Sequence, residues 1–292
     1  MKINPIYKQE TRISARSFRF PLIILLFNSV LAGVALLNMY SMVTQVRRTA
    51  EIQYSSFLSL YVFVAVVEFV LLLFIIPAIT AGSISGERER QTLNLMLTTH
   101  MTAADVVLGK LFAGLVNIFL MIVSSFPILA LAFIYGGVSA KDIVRLLICY
   151  GMTALLMGCL GIFCSASFKK STTATVASYC MAAGLLAGTV GINQLASLFW
   201  RATSVNGAVS SGGCIYLLLF NPASTFLVSI GGQMNSGSEL SGVFPWMDTV
   251  PMNMITEHWM VCSVVMQGVL ALLLLALAVR QVEPCRRKKK KG

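Results

Sequence analysis

The chain reads as an all-α integral membrane protein of six transmembrane helices, and three observations predict it. Its 292 residues are 57% hydrophobic and only 11% charged, with a mean hydropathy of +0.82. Soluble domains seldom approach that balance. Six apolar runs, near 20–40, 57–81, 107–135, 143–165, 174–198 and 258–280, each meet the length of about twenty residues that a bilayer core demands. The bases flank these runs instead of gathering on one surface, and seven of the 22 Lys and Arg lie at or after Arg280. Membrane topology therefore explains the net charge of +11 better than nucleic-acid binding does.

Residues 1–19 carry Lys2, Lys8, Arg12, Arg16 and Arg19 against the single acid Glu10. Ile6, Ile13 and Phe20 recur every seven residues, and Pro5 suits a helix start. The segment reads as a short basic amphipathic helix on the cytoplasmic membrane surface, with a disordered basic tail as the alternative. The run from Phe20 to Tyr40 is longer than a signal-peptide h-region and lacks a small-x-small cleavage site or a lipobox cysteine, so it reads as a retained first span. Pro77 and Pro127 predict local kinks in the second and third spans. Gly151, Gly158, Gly161, Gly184, Gly188 and Gly191 suit close helix packing in lipid.

Orientation follows from the bases. With the N-terminus inside, seventeen Lys and Arg are cytoplasmic and five (Arg47, Arg48, Lys141, Arg145, Arg201) are external, as the positive-inside rule prefers. The segment 201–257 is then one long external region, rich in Gly, Ser and Asn. It has an apolar stretch from Ile215 to Ile230 around Asn221-Pro222. A seventh span there would put the polybasic tail, 281–292, outside. A re-entrant or surface-lying pair of short helices is expected instead, with Trp246 and Trp259 at the outer interface. The tail reads as a cytoplasmic anchor to anionic lipid.

The stretch from Thr80 to Lys110 is where acids and bases alternate most densely. Gly82 to Gly86 reads as a small-residue hinge, after which Glu87 and Glu89 would occupy the first turn of a helix, where the dipole favours acids. Leu93, Met96 and Leu97 recur at i, i+3, i+4, opposite Glu87, Gln91, Asn94 and Thr98. That predicts an amphipathic helix of about three turns over 87–98 between the second and third spans. Thr102 and Asp105 predict a capping box that opens the next helix.

Little in the chain suggests enzyme chemistry. It contains no GxxxxGK[ST] phosphate loop and no HExxH, and Gly82-Ser83-Ile84-Ser85-Gly86 has isoleucine where a nucleophile elbow needs serine. His100 and His258 fall on opposite sides of the predicted membrane and read as interfacial polar residues. The seven cysteines (149, 159, 164, 180, 214, 262, 285) contain no CxxC pair, so neither a disulfide nor a metal site is expected. Glu68 is the one acid deep in a span. It reads either as a substrate- or proton-path residue or as a partner to a Ser, Thr or Asn on a neighbouring span.

Pro77-Ala78-Ile79-Thr80-Ala81, Ile84-Ser85-Gly86-Glu87-Arg88-Glu89, Thr92-Leu93, Leu97-Thr98 and Val107-Leu108-Gly109-Lys110 together resemble the permeases of type-2 ABC transporters. That pattern is a proline-terminated second span, a Ser-x-Glu-Arg-Glu-x-x-Thr-Leu-x-x-Leu-Leu core and a Gly-Lys pair opening the third span. The family usually has glycine where Gln91 stands and commonly proline where Met101 stands. The resemblance is dense over about thirty residues, and the six-span layout and Asn221-Pro222 extend it thinly over the rest.

The resemblance implies a single permease domain over 1–292 in the bacterial inner membrane with both termini cytoplasmic. The chain would act as an exporter subunit driven by a separate ATP-binding subunit that holds the ATP and magnesium, with no cofactor of its own. It would pair with a second permease, identical or sister. The cytoplasmic helix would be a coupling helix made of Gly86, Glu87, Arg88, Glu89, Thr92, Leu93, Met96 and Leu97. Leu93, Met96 and Leu97 would anchor it in the ATP-binding subunit, and Glu87, Arg88 and Glu89 would make charged contacts near the membrane. Two alternatives stand beside this reading: a non-transporting immunity or sensing module on the same ATPase interface, and a membrane-embedded enzyme built on Glu68.

Overall fold

The computed structural model describes residues 7, 10–12, 17–49, 55–92, 102–134, 139–203, 214–234 and 254–283. Every element among them is helical. The chain forms α1 (Arg19–Thr49), α2 (Ser55–Thr80), α3 (Ser83–Glu89), α4 (Ala103–Ile134) and α5 (Ala140–Ser167). A fifth long helix follows in three parts: α6 (Ser171–Ala183), a π-turn at Gly184–Gly188, and α7 (Thr189–Thr203). Then come a 3₁₀ turn (Ile215–Phe220), α8 (Pro222–Met234), the single turn α9 (Met254–Glu257) and α10 (Trp259–Val282). Six segments are long and apolar enough to cross a membrane: Phe20–Thr44, Leu58–Glu89, Ala103–Ala130, Ala140–Ser167, Ser171–Phe199 and Trp259–Val282. Helices α2 and α4 run on through Pro77 and Pro127.

Helix α5 is the hub, touching α2, α3, α4, α6, α8 and α10. It is the most buried of the six spans, whereas α1 and the α6–α7 helix keep broad apolar faces outward, including Leu22, Leu25, Leu36, Leu37, Leu195 and Leu198. Lipid is as apolar as leucine, so helices in a bilayer associate by close fit, not by hydrophobic expulsion. Gly161 shows how close that fit is. A Cβ built there would lie 2.0 Å from Thr80 Oγ1 and 2.9 Å from Thr80 Cβ, so α5 meets the end of α2 where only glycine leaves room. The other predicted packing glycines divide differently. Gly158 is in ordinary contact with Leu111, while Gly151, Gly184, Gly188 and Gly191 have nothing within 4 Å. Two of them bracket the π-turn, which frees backbone groups from the regular ladder.

Asn221 answers that irregularity. Its amide donates to the Leu186 carbonyl at 2.9 Å and to Thr189 Oγ1 at 2.7 Å, while its Oδ1 accepts from the Ala223 N–H at 2.8 Å. The last bond caps α8, whose first residue is Pro222; proline is favoured there because its missing N–H would be unbonded anyway. The described part of 201–257 holds two short helical elements, the 3₁₀ turn and α8, besides the single turn α9. The first two pack against the spans: Phe226 stacks on Phe69 of α2 at 4.2 Å, and Gln267 of α10 donates to Thr225 at 2.8 Å and to the Leu219 carbonyl at 3.3 Å. Trp259, expected at an interface, is fully buried against Ile215, Leu218, Leu219 and Val228. The two short helices cover it, which hydropathy alone does not reveal. Trp246, His100, Cys285 and residues 284–292 of the polybasic tail lie outside the described residues. The six described cysteines are unpaired.

Candidate functional site

The dense charge run becomes α3, a seven-residue helix that follows α2 after a turn at Ala81–Gly82. Gly82 to Gly86 is therefore mostly helix, not hinge. Glu87 and Glu89, expected in the first turn of a helix over 87–98, lie in the final turn of α3. Acids there oppose the helix dipole, so their position must be supported by partners. The chain ends α3 at Arg90 (φ −78°, ψ 0°) and turns at Gln91, whose φ of 59° is left-handed. Glycine adopts that conformation without strain. The segment Leu93, Met96, Leu97 lies outside the described residues.

Three contacts fasten α3 to the corner between α5 and α6. Gly82 offers no side-chain cap, but Ser165 Oγ accepts the N–H groups of Ile84 at 2.8 Å and Ser85 at 2.9 Å. A serine from α5 thus caps α3. Arg88 donates from its guanidinium to the carbonyls of Ala166 at 3.0 Å and Phe168 at 3.2 Å, covering the open end of α5. Glu89 Oε1 accepts the Ser171 N–H at 3.0 Å. That caps α6, whose Lys170 provides no side-chain cap. Each such bond stabilises a helix end by about 1 kcal/mol. Ile84 adds the apolar part. It is fully buried in a cluster with Val106, Val107, Leu156 and Leu160. Ile84 and Ser165 escaped the sequence reading, the first because it is a lone apolar residue between small polar ones, the second because it sits in another span.

On the opposite flank Glu87 Oε1 lies 3.4 Å from Lys110 Nζ, and Glu10 Oε1 lies 2.8 Å from the same nitrogen. The Thr92 hydroxyl donates to the Glu87 carboxylate. The Lys110 side chain is only 3% exposed. Glu10, Ser17, Phe20, Thr80, Gly86, Glu87, Glu89, Arg90, Lys110, Gly114 and Asn117 help to line a cavity of ≈ 630 Å³ beside α3. Its wall is charged towards α3 and apolar towards α1. The helix α4 opens as expected: Thr102 Oγ1 donates to Asp105 Oδ2 at 2.6 Å, and the Asp105 N–H returns to Thr102 Oγ1 at 3.2 Å.

Glu68 is fully buried in α2, and Ser125 of α4 donates to its Oε1. The partner anticipated on a neighbouring span is therefore a serine. Tyr150 of α5 donates to the Ala65 carbonyl at 2.9 Å, nearly one turn earlier on α2. No group of three or more His, Cys, Asp or Glu among the described residues is arranged to hold a metal ion.

A search of curated proteins finds no match. A family model described as "ABC-2 family transporter protein" matches residues 26–279, nearly the whole chain. That span takes in α3, the α5–α6 corner and the short helices around Asn221-Pro222. The six apolar helices and this match make the chain a multi-pass membrane protein and the membrane permease component of an ABC system, a family whose members work with an ATP-binding subunit. The chain belongs to the ABC-2 family of transporter proteins.

Proposed function

We propose that this chain is the permease subunit of an exporter in a bacterial cytoplasmic membrane, driven by a separate ATP-binding subunit docked on α3 and the residues that follow it. The observation that carries the reading is the wiring of α3. Its inward side is bonded to α5 and α6 through Ser165, Arg88 and Glu89, and to α4 through Glu87 and Lys110. A displacement delivered to this helix would reach three spans through named bonds. Rigid-body switching of this kind is a general means of alternating access.

In this reading α3 and both termini face the cytoplasm, where the basic excess belongs. Arg90 and Gln91 are exposed and continue into Thr92, Leu93, Met96 and Leu97, the apolar anchors for the partner. ATP and magnesium bind to the partner, and this chain performs no catalysis. The outward apolar faces of α1 and α7 suit a second permease copy or sister. The 3₁₀ turn and α8 form a re-entrant pair entering from the outer side. Glu68 serves as a buried polar tie between α2 and α4 and not as a proton carrier.

Co-purification from native membranes in mild detergent tests the reading. Wild type is expected to retain a subunit that mass spectrometry identifies as an ABC ATPase, while Leu93→Asp loses it. Absence of any ATPase from the wild type, or full retention by the variant, would refute the docking assignment.

A further inference from the structure

We propose that Lys110 is a positioning residue that binds the N-terminal segment to α3, so that the two move as one body when the ATP-binding subunit engages. This rests on the coupling reading above. Residues 1–19 hold five bases and one acid, and that acid, Glu10, is the residue that reaches Lys110. Tyr7, Glu10, Thr11 and Arg12 are helical, and Thr11 Oγ1 donates to the Tyr7 carbonyl at 2.8 Å.

The ammonium of Lys110 has left water almost entirely, and a buried charge is tolerated only while paired and hydrogen-bonded. Its two carboxylates come from distant parts of the chain, Glu10 from the N-terminal segment and Glu87 from α3. If α3 moved alone, Glu87 would leave the ammonium, and Lys110 would keep only its contact with Glu10. If the N-terminal segment and α3 move together with the start of α4, both contacts to the ammonium are kept. Apolar side chains of similar volume are often at least as stable as a buried ion pair. What the ions add is therefore a fixed geometry between three elements. The opposite flank of α3 is already clamped by Ser165, Arg88 and Glu89. Lys110 completes the frame on the side facing the N-terminal segment.

The test is a double-mutant cycle on the co-purified permease–ATPase complex in liposomes, with Glu10→Gln, Lys110→Met and the double variant. ATP hydrolysis and the amount of bound ATPase are read together, and thermal melting of the permease in detergent is read separately. Lys110→Met keeps a side chain of similar length without the charge, and Glu10→Gln is nearly isosteric, so both are expected to fold. Each is expected to keep its bound ATPase but to lower hydrolysis by about five-fold or more, the lower end of typical coupling between sites. The double variant is expected to be no worse than Lys110→Met, because Glu10 acts through Lys110. Wild-type hydrolysis in Glu10→Gln, or losses that simply multiply in the double variant, would overturn the proposal. If the wild type carries no ATPase, the coupling reading fails. The melting cycle then decides on the ion cluster alone, non-additive melting supporting it and additive melting refuting it.

Discussion

Gly161→Ala is the sharpest perturbation the packing offers. The added Cβ would lie 2.0 Å from Thr80 Oγ1, 2.9 Å from Thr80 Cβ and 3.4 Å from the Ala81 nitrogen. Thr80 cannot simply swing away, because its hydroxyl donates to the Ile76 carbonyl at 2.9 Å and its side chain is buried. Two of the three atoms met belong to the Thr80 Cβ and the backbone, so the helices α2 and α5 must separate. Overpacking of this kind costs about 1–3 kcal/mol. At a few degrees per kcal/mol for a chain of this size, thermal unfolding in detergent should drop by roughly 3–10 °C. Thr80→Ala removes the worst contact but leaves the Cβ at 2.9 Å, so the double variant Thr80→Ala/Gly161→Ala should recover only part of the loss. Since Thr80 lies directly before α3, the single variant should also weaken retention of the ATP-binding subunit. A Gly161→Ala protein that melts with the wild type would show that α5 does not approach α2 this closely.

Three further outcomes follow from local geometry. Gln91→Gly releases the left-handed backbone strain at φ 59° and should raise stability by about 0.5–1 kcal/mol, while Gln91→Val should lower it by about as much, both read by thermal melting. Asn221→Ala removes two donors to the π-turn and the cap of α8. It should cost about 2 kcal/mol, and Asn221→Asp, which keeps the cap but sets a buried carboxylate against the Leu186 carbonyl, should cost at least as much, as denaturation in detergent would show. Ser165→Ala strips the cap from Ile84 and Ser85. It should destabilise the site by about 1–2 kcal/mol and speed hydrogen exchange at those two amides more than elsewhere in α2 or α5.

The membrane fold was legible because its signal is long and additive. Each span has twenty or more residues of one character, and the bases mark their ends. The Thr102–Asp105 capping box was legible for the opposite reason: both partners sit within one turn. The start of α3 was misread because the acids Glu87 and Glu89 were assigned to a first turn by the dipole rule. Their stabilising partners, Lys110 and the Ser171 N–H, are remote in sequence and outweigh the dipole. Ser165 capping a helix some eighty residues away carries no local mark at all. Gln91 left a trace, since the family resemblance placed glycine there, and the positive φ supplies the reason. Trp259 was assigned by side-chain type, whereas its burial depends on how the chain folds back around Asn221-Pro222.

Site-specific photo-crosslinking in native membranes tests the central claim most directly. A photoreactive amino acid is placed at exposed Arg90, beyond the end of α3, and as a control at Met254, which is 83% exposed in α9 at the start of the turn before α10. The account predicts an adduct with the ABC ATPase from position 90 and none from position 254. An adduct only from 254, or none from 90 in membranes that contain the ATPase, would contradict it.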